Sequence, residues 1–290
     1  MPAASVIIPA FNRPDALRRA VAAVLAQEMR DLELLVVDDG GDAPAADALK
    51  DVNDPRLRVL RHANRGPAFT RNRGAGEANA PLLAFTDDDC APRPNWLGRL
   101  IDRANASPGA MVGGHTHNAL AADARAAASQ DLIDFLYNRL NSNAEDAQFL
   151  TSNNMLVPAA GFRAVGGFDE AYPLAAGEDR QFCRAWKASG RRIVFEPAGV
   201  VDHHHALTLA KFWRQHRNYG RGAYQYHVRS AGEDATKTAD RQGGISMALA
   251  IVGWPLKQRG PLPNRLLRSG LLGLAQLATA VGYRAEKRSA

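Results

Sequence analysis

Pro81-Leu-Leu-Ala-Phe-Thr-Asp-Asp-Asp-Cys-Ala91 is the stretch on which the fold of this chain turns. Leu82 to Thr86 are apolar or β-favouring and run straight into Asp87, Asp88 and Asp89. A short apolar run ended by polar residues predicts a buried strand of a parallel sheet. In open α/β sheets ligands collect at the carboxyl ends of the strands. Three adjacent carboxylates there repel one another unless a cation is present, and oxygen ligands suit Mg²⁺ or Mn²⁺, usually shared with a phosphate. Taken alone, the triplet is also compatible with a solvated acidic turn.

Upstream, Ser5-Val-Ile-Ile-Pro9 predicts a buried strand closed by proline, and Asn12-Arg13-Pro14 a helix start. Leu17, Val21, Val24 and Leu25 then line one helical face. A second strand, Leu32 to Asp38, ends in the acids Asp38 and Asp39; a short helix from Ala45 to Val52 and a strand from Leu57 to Leu60 follow. This β-α-β-α-β order resembles a nucleotide-binding half-sheet. No G-x-G-x-x-G follows the first strand and no G-K-[ST] follows a glycine turn, so neither a dinucleotide fingerprint nor a P-loop is present. Arg71 and Arg73 point to different faces if helical, so that one can meet a phosphate while the other is solvated.

Downstream, Trp96, Leu97, Leu100, Ile101 and Ala104 mark an amphipathic helix, Met111 to Gly114 a fifth strand, and 121–142 an alanine-rich helix. Gly166-Gly-Phe-Asp169 reads as a turn, and Gly177-Glu178-Asp179 opens a helix with Phe182, Ala185 and Trp186 inward. Acids in a first helical turn also serve simply as dipole partners. Arg192 to Pro197 is another strand, and Val200-Val-Asp202 leads into His203-His204-His205. One of these histidines can give the same cation a nitrogen ligand; solvated loop histidines are the plain alternative. A polar connector runs from Arg229 to Gly244.

With 290 residues, 46% hydrophobic and 23% charged, the chain suits one large domain with an appendage. Two cysteines, Cys90 and Cys183, fit a reducing cytosol better than a disulfide framework, and no secretory signal is read. The longest uncharged C-terminal stretches, 15 residues each, fall short of the ~20 that a bilayer span needs. Charge is uneven: Ala206 to Ala290 carries +10 and the rest −4. A basic tail points to an anionic partner, whether nucleic acid, phosphorylated substrate or membrane surface. Leu267, Leu271, Leu274 and Val281 form a helical stripe flanked by arginines and lysines, which predicts peripheral binding to an anionic membrane, with packing on the same domain or a dimer partner as the alternative. The tail holds no recognised nucleic-acid module, so no nucleic acid is expected.

In order along the chain, Val6-Ile-Ile-Pro-Ala-Phe-Asn12, Leu35-Val-Val-Asp-Asp-Gly40, the Asn64–Gly74 segment with Arg71-Asn72, the Asp87–Asp89 triplet, Gly166-Gly-Phe-Asp169, Gly177-Glu-Asp179 and the histidine after Val201 resemble family-2 glycosyltransferases. The resemblance covers roughly residues 4 to 222. It implies an α/β, Rossmann-like GT-A domain over 1–222 with a mostly parallel central sheet, and a basic helical extension over 223–290. By that resemblance Pro9, Phe11 and Asn12 line the nucleotide, Asp39 accepts a hydrogen bond from the base, and Arg71 lies near base or phosphates. Asp87 and Asp89 form the metal and ribose motif, with Asp88 between them and the alternative to Asp87 as second working carboxylate. Asp87, Asp89 and His203 are the ligands of Mn²⁺ or Mg²⁺, with His204 and His205 leaving the histidine open by one or two positions. Asp179 corresponds to the general base. The Gln-x-x-Arg-Trp element of processive synthases is absent, which implies a single addition.

The chemistry is coherent without the family name. A sugar nucleotide departs as a diphosphate whose charge a carboxylate-held cation neutralises, and a poor hydroxyl nucleophile needs a positioned base. One base and in-line attack imply inversion. The expected protein is a metal-dependent inverting glycosyltransferase, hexosyltransferase-like, taking a nucleotide-diphosphate sugar to a glycan or lipid-linked acceptor, cytoplasmic or peripheral at the inner face of the cytoplasmic membrane. A nucleotidyltransferase is the enzyme alternative, and a non-catalytic nucleotide- or glycan-binding member of the fold the other. The sequence leaves sugar, nucleotide, acceptor and oligomeric state undetermined.

Overall fold

The computed structural model describes residues 1–172, 174–231 and 244–290. The connector read between Arg229 and Gly244 lies, from 232 to 243, outside the described residues.

Eight strands form one sheet: β1 (Ala4–Ala10), β2 (Leu32–Asp38), β3 (Leu57–Arg61), β4 (Leu82–Thr86), β5 (Cys90–Pro92), β6 (Met111–Asn118), β7 (Asn154–Pro158) and β8 (Ile193–His203). Their order is β3-β2-β1-β4-β7-β6-β8-β5. The β1–β2, β1–β4, β2–β3 and β6–β8 pairs are parallel; β7 is antiparallel to both its neighbours, and β5 to β8. Helices α1 (Pro14–Leu25), α2 (Ala45–Ala48), α3 (Pro67–Glu77), α4 (Trp96–Ala106), α5 (Ala124–Leu140), α6 (Ala159–Ala164), α7 (Glu178–Ala188), α8 (Leu209–Ala231), α9 (Ile245–Gly253) and α10 (Leu262–Ser289) complete the described elements.

The central strands are buried on both faces, as their unbroken apolar runs predict: Val6, Ile7, Ile8, Leu34, Leu35, Val36, Val37, Ala84 and Phe85 have no exposed surface. Two expectations are corrected here. The strand read at 192–197 and the piece read at 200–202 are one strand, β8, whose register against β6 jumps from Glu196 to Val200. Pro197 cannot donate to a ladder, so the chain bulges there. Asn154, fully buried, fixes that bulge by donating to the carbonyls of Gly199 (2.9 Å) and His115 (3.0 Å) while accepting from the Trp96 indole (2.8 Å). The second correction concerns Cys90 to Pro92, which pair with β8 as a strand of their own and make Met111–Asn118 the sixth.

By compactness the chain divides into two units whose segments interleave, where the sequence reading places one cut after residue 222. The first unit takes Met1–Ala119, Leu140–Pro173 and Glu178–His204; the second takes Leu120–Arg139, Leu174–Gly177 and His205–Ala290. Within the second, α8 and α10 pack so closely that a side chain at Gly220 would meet the Thr279 carbonyl, and one at Gly282 the Arg217 carbonyl. The buried face of α10 is Ser269, Leu272, Ala275, Ala278 and Gly282. Of the predicted stripe, Leu267 and Val281 are exposed, while Leu271 packs against the core that holds Phe135, Phe212 and Leu272.

Candidate active site

All the site residues lie in the first unit. The carboxyl ends of β1, β2 and β4 lie side by side because β1 pairs with both others in parallel. Beyond β1 the chain turns at Asn12, whose φ of 54° is left-handed, a conformation asparagine tolerates. The turn is tied to the acidic triplet by Phe11 N–H, which donates to Asp88 at 3.2 Å, and to the end of β2 by Asn12 Oδ1, which accepts from Ala43 N–H at 3.1 Å. Phe11 is half exposed beside a small recess lined also by Ala10, Asn12, Asp38 and Ala45. Pro9 sits partly buried one residue before the end of β1.

Asp38 and Asp39 divide the work after β2. Asp38 receives Gly40 and Ala45 N–H groups and Arg61, and so closes the turn into α2. Asp39, buried, receives Arg65 N–H (2.8 Å), Gly66 N–H (3.1 Å) and Asn64 Nδ2 (3.2 Å), so its carboxylate ties down the 62–66 loop ahead of α3.

The triplet makes three separate connections. Asp87 accepts from Arg71 at 2.8 Å. Asp88 and Asp89 share Arg13, whose Nη1 lies 2.9 and 2.8 Å from them. Asp89 faces His203: pairing of β5 with β8 sets Cys90 opposite His203, and Nε2 of His203 lies 3.3 Å from Asp89 Oδ1. Asp89, Cys90 and His203 each offer one donor atom, all within 4.8 Å of one another. Burial pushes Asp88 up to about 7, helped by Asp89 and Asp87 and opposed by Arg13. Burial also holds the Cys90 thiol well above its ordinary value. His203 is pulled down by burial, but the Asp89 carboxylate outweighs that and leaves it raised.

Arg71 carries the connection to α7. Its side chain is 3% exposed, and it reaches Glu178, 4% exposed, at 3.2 Å as well as Asp87. Arg73, two residues on, is half exposed, as the helical reading requires. Burial pushes Glu178 up to about 7, with Asp179 adding and Arg71 opposing. Asp179, less buried, accepts from Arg180 N–H at 2.7 Å and is also raised by burial, against the pull of that bond and of Arg71. Next to Arg71, Asn72 donates to the Phe168 carbonyl (2.8 Å) and accepts Phe168 N–H (2.9 Å). The glycine turn thus belongs to the site's scaffold: Gly167 has φ 71°, and any side chain there would run into Asn72.

The structure therefore gathers Phe11, Asn12, Arg71, Asp87, Asp88, Asp89, His203 and Asp179 around one sheet end, with Asp39 one loop away. Sequence reasoning gave Arg13 no role. Its signal was a cation directly after a strand end that must face three carboxylates. The pairing of Glu178 with Arg71 was likewise absent from that reading, since 107 residues separate them.

Strand-end carboxylates set beside helix-borne acids are the arrangement that the resemblance to family-2 glycosyltransferases implies. The profile of Glycosyl transferase family 2 matches residues 5–165, more than half of the chain, and the protein belongs to that family. Over 286 residues it is 29% identical to the pre-mycofactocin glycosyltransferase of Mycobacterium tuberculosis, covering 96% of this chain and 55% of that protein. Over 227 residues it is 31% identical to the succinoglycan biosynthesis protein ExoO of Rhizobium meliloti, covering 70% and 61%. The chain thus spans little more than half the length of these relatives. Among solved structures, the mannosyltransferase PcManGT of Pyrobaculum calidifontis, in complex with GDP-Man and Mn²⁺, superposes with a TM-score of 0.71 at 17% identity, over 99% of this chain and 88% of that one. The likeness establishes the GT-A fold.

Proposed function

We propose that this protein is a metal-dependent inverting glycosyltransferase that adds one sugar from a nucleotide-diphosphate sugar to a hydroxyl of a glycan or lipid-linked acceptor at a membrane surface. The observation that carries the reading is the chain of contacts from Asp89 and His203 through the triplet and Arg71 to Glu178 and Asp179.

The cluster of an Asp89 carboxylate oxygen and a His203 imidazole nitrogen fits Mn²⁺ or Mg²⁺, with the Cys90 thiol kept protonated by burial and so a poor ligand; Asp87, tied to Arg71, is the second carboxylate that the family resemblance implies. When bound, such an ion neutralises charge that builds on the departing diphosphate. Phe11 and Asn12 border the nucleotide, and Arg71 holds Asp87 in place from its buried side. Asp179 rather than Glu178 is the base, because Glu178 is sealed beneath Arg71 while Asp179 keeps a partly open face. Its raised pKa makes it a stronger proton acceptor at neutral pH. Attack from the Asp179 side, opposite the leaving diphosphate, inverts the anomeric carbon.

The test is a thermal-shift panel of UDP, GDP, CMP and dTDP with and without Mn²⁺. One diphosphate should stabilise the protein, and only with Mn²⁺. Stabilisation by none of them, or equal stabilisation with chelator, would remove the reading.

A further inference from the structure

Six of the twelve large apolar residues that are exposed among the described residues fall within residues 245–267: Ile245, Leu249, Leu256, Leu262, Leu266 and Leu267. They lie on α9, on the single 3₁₀ turn Pro255–Lys257 behind it, and on the first turns of α10. Ile245 is 80% exposed and Leu249, one helical turn on, 66%. This is no frayed end. Ile251, on the other face of α9, is buried with Phe135, Phe212 and Leu272, and Trp254 stacks edge-on against Phe135 at 5.6 Å. The inner face thus holds the outer one in place, at the unfavourable cost of leaving leucines in water.

Charge narrows what covers this face. From 244 to 285 there is no carboxylate, while Lys257, Arg259, Arg265, Arg268 and Arg284 are basic. Lys257 and Arg259 are exposed in the turn between the two helices. Arg268 is answered by Asp131 at 3.2 Å, but a second copy of the chain meeting this patch about a two-fold axis would still set Lys257 and Arg259 against cations of the same stretch. No helix among the described residues is long and apolar enough to cross a membrane. An apolar helical face rimmed by cations matches an anionic bilayer, whose headgroups pair with the rim while the leucines enter the acyl boundary.

We propose that α9, the 3₁₀ turn and the start of α10 form a monotopic anchor that dips Ile245, Leu249, Leu262 and Leu266 into an anionic membrane leaflet. The proposal gives a location to the membrane-surface part of the function proposed above and rests on that part only for its purpose.

The test is co-sedimentation of the full chain with vesicles of phosphatidylcholine and 30% phosphatidylglycerol, beside calorimetric nucleotide-diphosphate binding on the same preparation. Binding is expected at low salt, weakened several-fold at 0.5 M salt, as screening requires. Leu249→Glu with Leu266→Glu should weaken it at least about tenfold, since both apolar side chains are lost from the bilayer and charges put in their place. Lys257→Glu with Arg259→Glu should abolish the preference for phosphatidylglycerol. Both variants should bind nucleotide as the unaltered chain does. No vesicle binding, binding indifferent to both variants, or a dimer in solution that the leucine variant dissociates would overturn the anchor and leave the transferase reading standing. Vesicle binding with no nucleotide binding would do the reverse.

Discussion

Arg71→Met takes the guanidinium from between Asp87 and Glu178. The Arg71 and Glu178 side chains are 3% and 4% exposed, and Asp87 lies 2.8 Å from the same guanidinium. Breaking a buried pair by removing one partner costs about 3–5 kcal/mol, because the remaining charge is stranded. Glu178 already sits at about 7, and Arg71 is what pulls it down. Without Arg71 it is protonated when folded at neutral pH, which trims the loss toward the lower end, about 3 kcal/mol. The sign of the pH dependence follows. A carboxyl whose folded pKa stands far above its unfolded value contributes stability at low pH and loses it as pH rises through the folded value. The variant's deficit should therefore grow from pH 6 to pH 8. At about 2–4 °C per kcal/mol for a chain of this size, the midpoint should fall by roughly 10 °C. Urea denaturation and thermal scans of the full chain at pH 6, 7 and 8 measure it. Arg71→Met with Glu178→Gln, which replaces the stranded acid by a neutral amide, should regain at least about 1 kcal/mol. A loss under about 1 kcal/mol, a deficit that shrinks with pH, or no recovery in the double variant would refute the reasoning.

Asp179→Asn should lower transfer by about 10²–10⁴-fold while calorimetric donor affinity stays within a few-fold; loss of both together would make Asp179 structural, and undiminished transfer would move the base elsewhere. Asp89→Asn should weaken Mn²⁺-dependent nucleotide-diphosphate binding by at least tenfold, and chelator should erase the difference from the unaltered chain; an unchanged Mn²⁺ titration would place the ion elsewhere. His216 has no exposed surface, and burial lowers its pKa from 6.5 to about 4, with His205 adding to it. The unfolded chain then takes the proton first, so stability is full above about pH 6.5 and falls toward pH 4. Between pH 7.5 and pH 5 the protein should lose about 2 kcal/mol that a His216→Gln variant does not, as read by urea titrations.

Much of this was legible in the residues. The strands of the sheet's core announce themselves as apolar runs because they are buried on both faces, and their acidic ends fall where the topology brings them together. What stayed hidden depends on pairings between distant segments. Which histidine of three faces the triplet is decided by the three-residue ladder of Cys90–Pro92 on β8, too short to read as a strand. Arg13 looks like the opening of a helix until the sheet sets it against Asp88 and Asp89. Whether the stripe on α10 faces outward or packs stays open in the sequence, because periodicity does not reveal which of two faces a helix buries. Here Ser269, Ala275, Ala278 and Gly282 pack inward, since close approach to α8 favours small residues over leucines.

The interleaving of the two units bears on how the protein is made. Phe135 and Ala128 of α5 are covered by Leu207, Phe212, Ile251, Leu272 and Ala275, all synthesised later. At about 5–20 residues per second, Phe135 waits on the order of ten seconds after leaving the ribosome before Leu272 exists. During that interval the nascent chain carries a finished helix with its apolar side bare, a natural target for a holding chaperone. A shortened gene ending after residue 204 would make that wait permanent, and its product should collect in inclusion bodies even though every residue assigned to catalysis is present.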